Sequence, residues 1–161
     1  MKPAAKLDLD DYLPYLTNRV GNIIAEQFSN AALLPHGLSI AMWRVMAALA
    51  AKGSQRQIDV VDLTSIEAST LSRLVTRLIR MGLVTRTRSA SSNREVSVRL
   101  STKGQTLVER LIPIARDYEA AAIADLSQAD VAVLKRCLRR MYGNMRARPA
   151  EQGAARKRRS R

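Results

Sequence analysis

Residues 68–100 read ASTLSRLVTRLIRMGLVTRTRSASSNREVSVRL, and this stretch decides the fold. Apolar residues recur at helical spacing as far as Gly82, and glycine commonly follows the last residue of a helix. Two β-rich runs come next, residues 83–88 and 95–100, and a polar segment over 89–94 joins them. In the second run apolar and polar residues alternate, which is typical of a half-buried strand. The stretch therefore predicts a helix followed by a β-hairpin.

The helix predicted from Ala68 to Met81 has two different faces. One face carries Leu71, Leu74, Val75, Leu78 and Met81; the other carries Ser69, Ser72, Arg73, Thr76, Arg77 and Arg80, with Thr70 at its margin. The polar face has hydroxyls and guanidinium groups but no acid, and these side chains reach phosphates and base edges. A solvated helix face is the alternative interpretation. The adjoining hairpin favours a recognition helix that lies in the major groove of DNA.

The predicted hairpin is also basic. Arg86, Arg88 and Arg99 belong to its strands, and Arg94 lies near the tip of its predicted loop. An arginine on a loop tip can enter a minor groove, where A-tracts have enhanced negative potential. Charged edge strands that resist aggregation are the alternative interpretation, and the two roles are compatible.

Three helices are predicted ahead of this stretch. The first follows an apolar pattern over residues 9–28 and places Asp10 and Asp11 in its first turn, where the helix dipole favours acids. The second begins after a capping residue, Ser39, and the third covers residues 57–64 before a tight turn. Helix, turn, helix and hairpin is the order of a winged helix-turn-helix.

Two helices are predicted after the hairpin. One begins at Ser101 or Thr102 and contains Pro113, which predicts a bend. The other begins at Ser127, and its apolar residues are spaced three and four apart: Val131, Leu134, Leu138, Met141 and Met145. Because such a heptad seam requires a partner helix, the terminal helices are candidates for a dimer interface.

The composition is that of a globular protein, but the charge is unusual. The 161 residues are 47% hydrophobic and 25% charged, and the net charge is +13. Residues 68–104 hold eight Lys and Arg against one acid, and residues 147–161 hold six against one. The second segment has no Leu, Ile, Val or aromatic residue, so we expect a disordered basic tail. It is either a solvated terminus or an arm that contacts DNA without sequence preference.

Other classes of function lack the residues they need. One His and one Cys, no glycine-rich phosphate loop and no metal-ligand spacing argue against an enzyme, a metal site or a cofactor. No apolar run is long enough to span a membrane, and the single Cys137 leaves no internal disulfide. We therefore expect a cytoplasmic protein with no membrane partner. Six aromatic residues leave few stacking platforms for single-stranded nucleic acid.

Four segments resemble the MarR family of bacterial transcriptional regulators. They are QIDVV at residues 57–61, STLSRLV at 69–75, MGLVTR at 81–86 and LSTKG at 100–104, and the resemblance covers about residues 10–146. It implies a mainly α fold with a small β-hairpin wing, in which N- and C-terminal dimerisation helices flank a winged helix-turn-helix. We expect one domain over 8–146, with dimerisation helices over 8–34 and 105–146, the winged helix-turn-helix over 38–104 and the tail over 147–161.

The resemblance also implies a set of DNA contacts. Carried over by position, the residues that face the major groove are Thr70, Ser72, Arg73, Thr76 and Arg77, and the minor-groove arginine of the wing is Arg94. Ser69, Arg86, Arg88 and Lys103 complete the residues expected to contact double-stranded DNA. One position departs from the family, since Ser92 stands where an Asp usually pairs with a neighbouring Arg. The protein is expected to be a homodimer in which each protomer reads one half of an inverted repeat.

Members of the family typically release DNA when a small ligand binds between the dimer helices and the winged helix. The resemblance therefore implies a ligand-responsive repressor, with a small aromatic or phenolic acid, or its CoA thioester, as the effector. The pocket candidates are Tyr15, Arg19, His36, Trp43 and Arg44, which combine aromatic walls with partners for a carboxylate. Trp43 also fits an ordinary core residue, and His36 fits a loop residue.

Two other functions stay open. Cys137 lies near Arg136 and Arg140, which favours a reactive thiolate and a redox-sensing regulator. A buried interface residue is the competing interpretation of that cysteine. A non-specific DNA-binding architectural protein would use the same positive charge without sequence preference.

Overall fold

The computed structural model describes residues 6–89 and 92–148. These residues form six α-helices and a three-stranded sheet. In chain order the elements are α1 (Leu13–Phe28), α2 (Ile40–Lys52), β1 (Gln55–Arg56), α3 (Gln57–Thr64), α4 (Ala68–Arg80), β2 (Val84–Ser89), β3 (Ser92–Leu100), α5 (Thr102–Ala122) and α6 (Gln128–Ala147). A π-helical turn, Ser29–Leu33, and a 3₁₀ turn, Leu34–His36, lie between α1 and α2. The predicted fold class, mainly α with a small β-hairpin wing, is confirmed.

Helix α1 begins later than the apolar pattern predicts. It starts at Leu13 rather than near Leu9, with Pro14 in its first turn. Proline suits this position because its fixed φ matches a helix and its missing N–H has no intrahelical partner there. Asp10 and Asp11 lie ahead of the helix, so the prediction that they occupy its first turn is wrong.

Helices α2 to α4 begin and end where local chemistry specifies it. The Ser39 hydroxyl accepts a backbone amide of the first turn of α2 at 3.3 Å, which confirms the predicted cap. Ser65, with a φ of 56°, makes the turn between α3 and α4. After α4, Gly82 has a φ of 70°, and the amides of Gly82 and Leu83 both donate back to carbonyls in the last turn of the helix. This Schellman motif ends α4 where the sequence predicts.

The sheet has the strand order β1-β3-β2, and both pairings are antiparallel. Ser89 pairs with Ser92, so the strands of the hairpin extend further toward its tip than predicted. Arg94 therefore lies within β3 and not in the loop in which the sequence placed it. The two residues of β1 pair with Ser97 and Val98, and no sequence pattern had indicated this strand.

The core lies within the first of two compact units, which ends at Ala122. Val45 and Met46 from α2, Val75 from α4 and Val108 from α5 are each 0% exposed. The winged helix-turn-helix and the first part of the flanking helices therefore share one apolar core.

Within the part of the chain that the structure describes, no single helix is long and apolar enough to cross a membrane. Leu13–His36 and Ile40–Lys52 reach that length and composition only when they are taken together, and they are bent by 82°.

The N-terminus of α5 is docked on the turn between α4 and β2. The Ser101 hydroxyl donates to the Gly82 carbonyl at 2.6 Å, and the Ser101 amide donates to the Leu83 carbonyl at 3.0 Å. Gly104 lies against the same carbonyl, since a Cβ at this position would stand 2.0 Å from the Leu83 oxygen. The segment from Leu100 to Gly104 thereby fixes the end of α4 and the base of the hairpin to α5.

Helix α6 belongs to the second compact unit and is described by itself. The Ser127 hydroxyl accepts a backbone amide of its first turn at 3.1 Å, which confirms the predicted N-cap. None of the helix residues is buried in the protomer, and Leu138 and Met145 are 40% and 65% exposed. Cys137 is also exposed. An exposed apolar stripe at heptad spacing is what a helix that awaits a partner presents.

Candidate nucleic-acid interface

Helix α4 separates its apolar and polar residues as the helical wheel predicts. Leu71, Val75 and Leu78 are at most 1% exposed and pack into the core. The outward face consists of exposed Ser69, Ser72, Arg73, Arg77 and Arg80, with Thr70 and Thr76 half-buried at its margins. The structure therefore brings six of the predicted DNA contacts onto one exposed helix face.

The N-terminus of this face is capped by Glu67. Its carboxylate accepts the backbone amides of Ser69 at 2.9 Å and Thr70 at 3.1 Å, and it also accepts the Ser69 hydroxyl. These hydrogen bonds lower the pKa of Glu67 from 4.5 to about 2. The hydrogen bond from the Ser69 hydroxyl has the largest effect, and those from the two backbone amides come next. The carboxylate is thus charged at neutral pH and satisfies the amides at the positive end of the helix dipole.

The arginines of α4 keep most of their hydrogen-bonding capacity. Arg73 donates one guanidinium N–H to the Thr70 hydroxyl at 3.3 Å, which orients its side chain along the helix. Among the described residues, no ion pair involves Arg73, Arg77 or Arg80. A guanidinium group has five N–H donors in a planar fork, so these side chains can bind a guanine edge or a phosphate.

The hairpin adds one well-placed arginine to this surface. Arg86 of β2, together with Thr76 and Arg80 of α4, lines a cavity of about 520 Å³ between the helix and the strand. Arg99 of β3 is also exposed. The side chains of Arg88 and Arg94 lie outside the described residues, so their expected contacts stay predictions.

Lys103 has a structural partner. Its ammonium donates to the Met81 carbonyl at 3.0 Å and so ties the first turn of α5 to the end of α4. The side chain remains exposed, on the N-terminal turn of α5. Its position is compatible with a phosphate contact, but its observed hydrogen bond stabilises the junction between α4 and α5.

The five candidates for a ligand pocket fall in three places. Trp43 and Arg44 line a cavity of about 280 Å³ formed by α1, α2 and α5. His36 lines a different cavity, near the N-terminus of α5. Arg19 and Tyr15 lie together on α1, with the guanidinium carbon 5.5 Å from the ring centroid. The described protomer does not bring the five side chains into one site.

Sequence reasoning missed two aromatic walls of the smaller cavity and two features of α4. Phe28 and Tyr118 line the cavity beside Trp43, and the Phe28 ring lies 5.3 Å from that of Trp43 in an edge-to-face arrangement. Arg80 is exposed on the polar face to which the helical wheel assigned it, but it was not among the predicted DNA contacts. Glu67 precedes the first residue of α4, and the helix dipole favours an acidic residue at a helix N-terminus, so its position in the sequence was an available signal.

Comparison with known proteins agrees with this arrangement. A family model described as MarR family matches residues 36–95. A solved structure of a MarR family transcriptional regulator from Silicibacter pomeroyi matches with a TM-score of 0.79 and 27% identity, over 89% of this chain and 99% of that chain. Over residues 36–95 the chain is thus similar to the MarR family, and its fold is that of MarR family regulators. These similarities indicate a DNA-binding transcriptional regulator.

Other MarR-type proteins are similar along most of their length. The HTH-type transcriptional repressor Rv2887 of Mycobacterium tuberculosis is 26% identical over 132 residues, which are 82% of this chain and 94% of that protein. The structure of Bordetella bronchiseptica BpsR, whose DNA binding is regulated by 6-hydroxynicotinic acid, matches with a TM-score of 0.75 and 24% identity, over 86% of this chain and 98% of that chain. The MarR fold of this chain thus extends beyond the winged helix-turn-helix.

Proposed function

We propose that this MarR-like protein is a homodimeric repressor that binds an inverted repeat in double-stranded DNA. The observation that carries the proposal is the exposed face of α4, which presents hydroxyl and guanidinium groups and no acid from Ser69 to Arg80. A helix of this kind fits the major groove with its N-terminal residues nearest the bases. The similarity to Rv2887, which is named as a repressor, supports repression rather than activation.

The proposed contacts divide into three classes. Arg73 and Arg77, with Thr70, Ser72 and Thr76, read base edges in the major groove, because guanidinium groups bind guanine bidentately and hydroxyls accept or donate to either base. Ser69, Arg86, Arg88 and Lys103 contact the phosphate backbone and fix the register of the protein on the duplex. Arg94 of the wing enters the adjacent minor groove.

The proposed dimer follows from apolar surface that the protomer leaves exposed. On α6, Leu134 and Leu138 are 42% and 40% exposed, and on α1, Val20 and Ile23 are 55% and 48% exposed. Since the heptad stripe of α6 needs a facing helix, we assign dimerisation to the helical segments over residues 8–34 and 105–146. Two-fold symmetry of the dimer then implies two-fold symmetry of the operator.

Footprinting on the DNA upstream of the gene tests this function. The expected result is a protected inverted repeat whose half-sites lie roughly one helical turn, or about 34 Å, apart. Arg73→Ala and Arg77→Ala should each weaken binding to that site by about 5- to 150-fold, which corresponds to ~1–3 kcal/mol for a bidentate base contact. Arg116→Ala on α5 removes the same charge away from α4 and should leave the footprint unchanged. Absence of a protected repeat would overturn the proposal.

Salt dependence separates a sequence-specific repressor from an architectural protein. A repressor should prefer its operator to random DNA by roughly 10³-fold or more, whereas an architectural protein binds all duplexes alike. Deleting residues 156–161 removes five basic residues. We expect this deletion to weaken binding to operator and random DNA equally and to reduce the slope of log K against log salt. A loss confined to the operator would contradict the division of roles between the tail and α4.

We further propose that an aromatic carboxylate is the effector and that it binds in the cavity lined by Trp43 and Arg44. Phe28, Trp43 and Tyr118 supply aromatic walls, and the Arg44 guanidinium is a partner for a carboxylate. The regulation of BpsR by 6-hydroxynicotinic acid supports this class of ligand. In a thermal-shift screen, aromatic acids should raise the melting temperature of the wild type and lose this effect in Arg44→Gln. An unchanged shift in Arg44→Gln would refute the assignment.

A further inference from the structure

A second cavity lies at the junction of α4, the hairpin and α5. Its volume is about 500 Å³, within the range of roughly 300–1,000 Å³ that is typical of small-molecule sites. His36, Met81, Leu83, Lys103 and Arg110 line it, together with Thr102, Thr106 and Leu107. None of these residues lines the aromatic cavity, so the two are separate sites within the first compact unit.

The charge of this junction cavity is of one sign. Lys103 and Arg110 project from α5 two turns apart, and none of the residues that line the cavity is acidic. Within the described residues, the Arg110 guanidinium has no ion-pair partner. The Thr106 hydroxyl already donates to the Thr102 carbonyl at 3.0 Å, so the donors available to an anion are those of Arg110 and Lys103. A carboxylate is the complementary head group, because a guanidinium group binds it through two parallel hydrogen bonds.

The apolar wall of the junction cavity is aliphatic. Met81, Leu83 and Leu107 form it, and Leu83 and Leu107 are only 2% and 6% exposed. The wall is continuous with the turn that carries His36, since a Cβ at Gly37 would lie 3.8 Å from Cε of Met81. Flexible aliphatic side chains of this kind suit an alkyl chain, in contrast to the three aromatic rings at the other cavity.

We propose that the junction cavity binds an aliphatic carboxylate. The carboxylate pairs with the Arg110 guanidinium and lies within reach of the Lys103 ammonium. The alkyl chain packs on Met81, Leu83 and Leu107. A ligand bound in this way contacts Met81, the residue that follows α4, and so lies directly behind the recognition helix.

Calorimetric titration of the full-length dimer with octanoate tests the proposal. We expect saturable binding with one octanoate per protomer. Arg110→Gln should weaken it about tenfold or more, because a charge-assisted pair is lost. Arg116→Gln removes the same charge from the same helix outside the cavity and should bind as the wild type does. Octanamide, which lacks the anionic head group, should bind the wild type about tenfold more weakly, so the charge requirement is tested without any mutation.

Each remaining outcome overturns the inference. Octanoate that does not saturate, an Arg110→Gln variant with wild-type affinity, or an equal loss in Arg116→Gln would show that the cavity does not select a carboxylate. A loss of octanoate binding in Arg44→Gln would place the ligand in the aromatic cavity instead. Because the titration contains no DNA, its failure is distinguishable from a failure of the proposed repressor function.

Discussion

Replacing Gly104 by alanine should destabilise the protein, although alanine is the better helix former. Gly104 lies in the first turn of α5, where a Cβ would stand 2.0 Å from the Leu83 oxygen and 2.9 Å from the Leu83 carbonyl carbon. Both atoms belong to the backbone, so no side-chain rotation can relieve the contact. The same Leu83 oxygen accepts the Ser101 amide at 3.0 Å. Relief of the clash therefore requires α5 to move away from the hairpin and weakens that hydrogen bond.

The expected magnitude combines three effects. Overpacking costs ~1–3 kcal/mol. Loss of the hydrogen bond to Leu83 costs about 1 kcal/mol. The better helix propensity of alanine returns about 1 kcal/mol. The net loss is therefore about 2 kcal/mol, which corresponds to a decrease in Tm of about 4–8 °C for a chain of this length.

Thermal unfolding followed by circular dichroism measures this loss. The variants are compared at one protomer concentration, since the Tm of a dimer depends on concentration. Gly21→Ala is the matched control: it is also a helical glycine, but a Cβ there has no atom within 4 Å. Gly21→Ala should be unchanged or more stable by about 0.5–1 kcal/mol. A Gly104→Ala protein as stable as the wild type would refute the argument that the close backbone contact requires glycine.

Three further predictions concern the helix ends and the dimer. Ser39→Ala should lower the stability by ~1 kcal/mol in chemical denaturation, because it removes the cap of α2, and an unchanged midpoint would contradict the observed bond. Glu67 has a pKa of about 2 in the folded protein and 4.5 ordinarily, so its stabilising effect is complete above pH 4.5 and declines as the pH falls toward 2. The stability advantage of wild type over Glu67→Gln, measured from pH 7 to 3, should therefore shrink below pH 4.5; a constant difference would show that the carboxylate charge is unimportant. Leu138→Asp should convert the dimer to monomer in light scattering, and a dimer that persists would exclude the α6 stripe from the interface.

The parts of the fold that sequence predicted well are those set by local chemistry. The end of α4 depends on Gly82, and the start of α2 depends on Ser39, so residues close in sequence determine both. Strand β1 has only two residues, and it forms because it pairs with β3 more than forty positions away. The segment from Ser89 to Arg94 has loop composition, yet pairing with the opposite strand extends the hairpin through part of it.

The candidate sites, like the fold, include parts that the sequence could predict and parts that it could not. The exposed face of α4 was predictable because helical periodicity alone assigns each side chain to a face. The cavities were not predictable, since each combines residues from distant elements. One cavity is lined by His36, Lys103 and Arg110, and another is lined by Trp43 and Tyr118. The five residues predicted to line one pocket therefore have side chains suited to an aromatic carboxylate, but they lie in three separate places in the protomer.

The position of Glu67 explains why arginine dominates the proposed DNA surface. The N-terminus of a helix usually attracts phosphate through its free amides and its positive dipole. In α4 the Glu67 carboxylate already accepts the amides of Ser69 and Thr70, and its negative charge offsets the dipole. Attraction to DNA must then come from side chains, and Arg73, Arg77 and Arg80 are exposed along the same face. Because a guanidinium fork can bind a base edge as well as a phosphate, whereas a helix terminus recognises only an anion, the proposed surface is able to distinguish one base sequence from another.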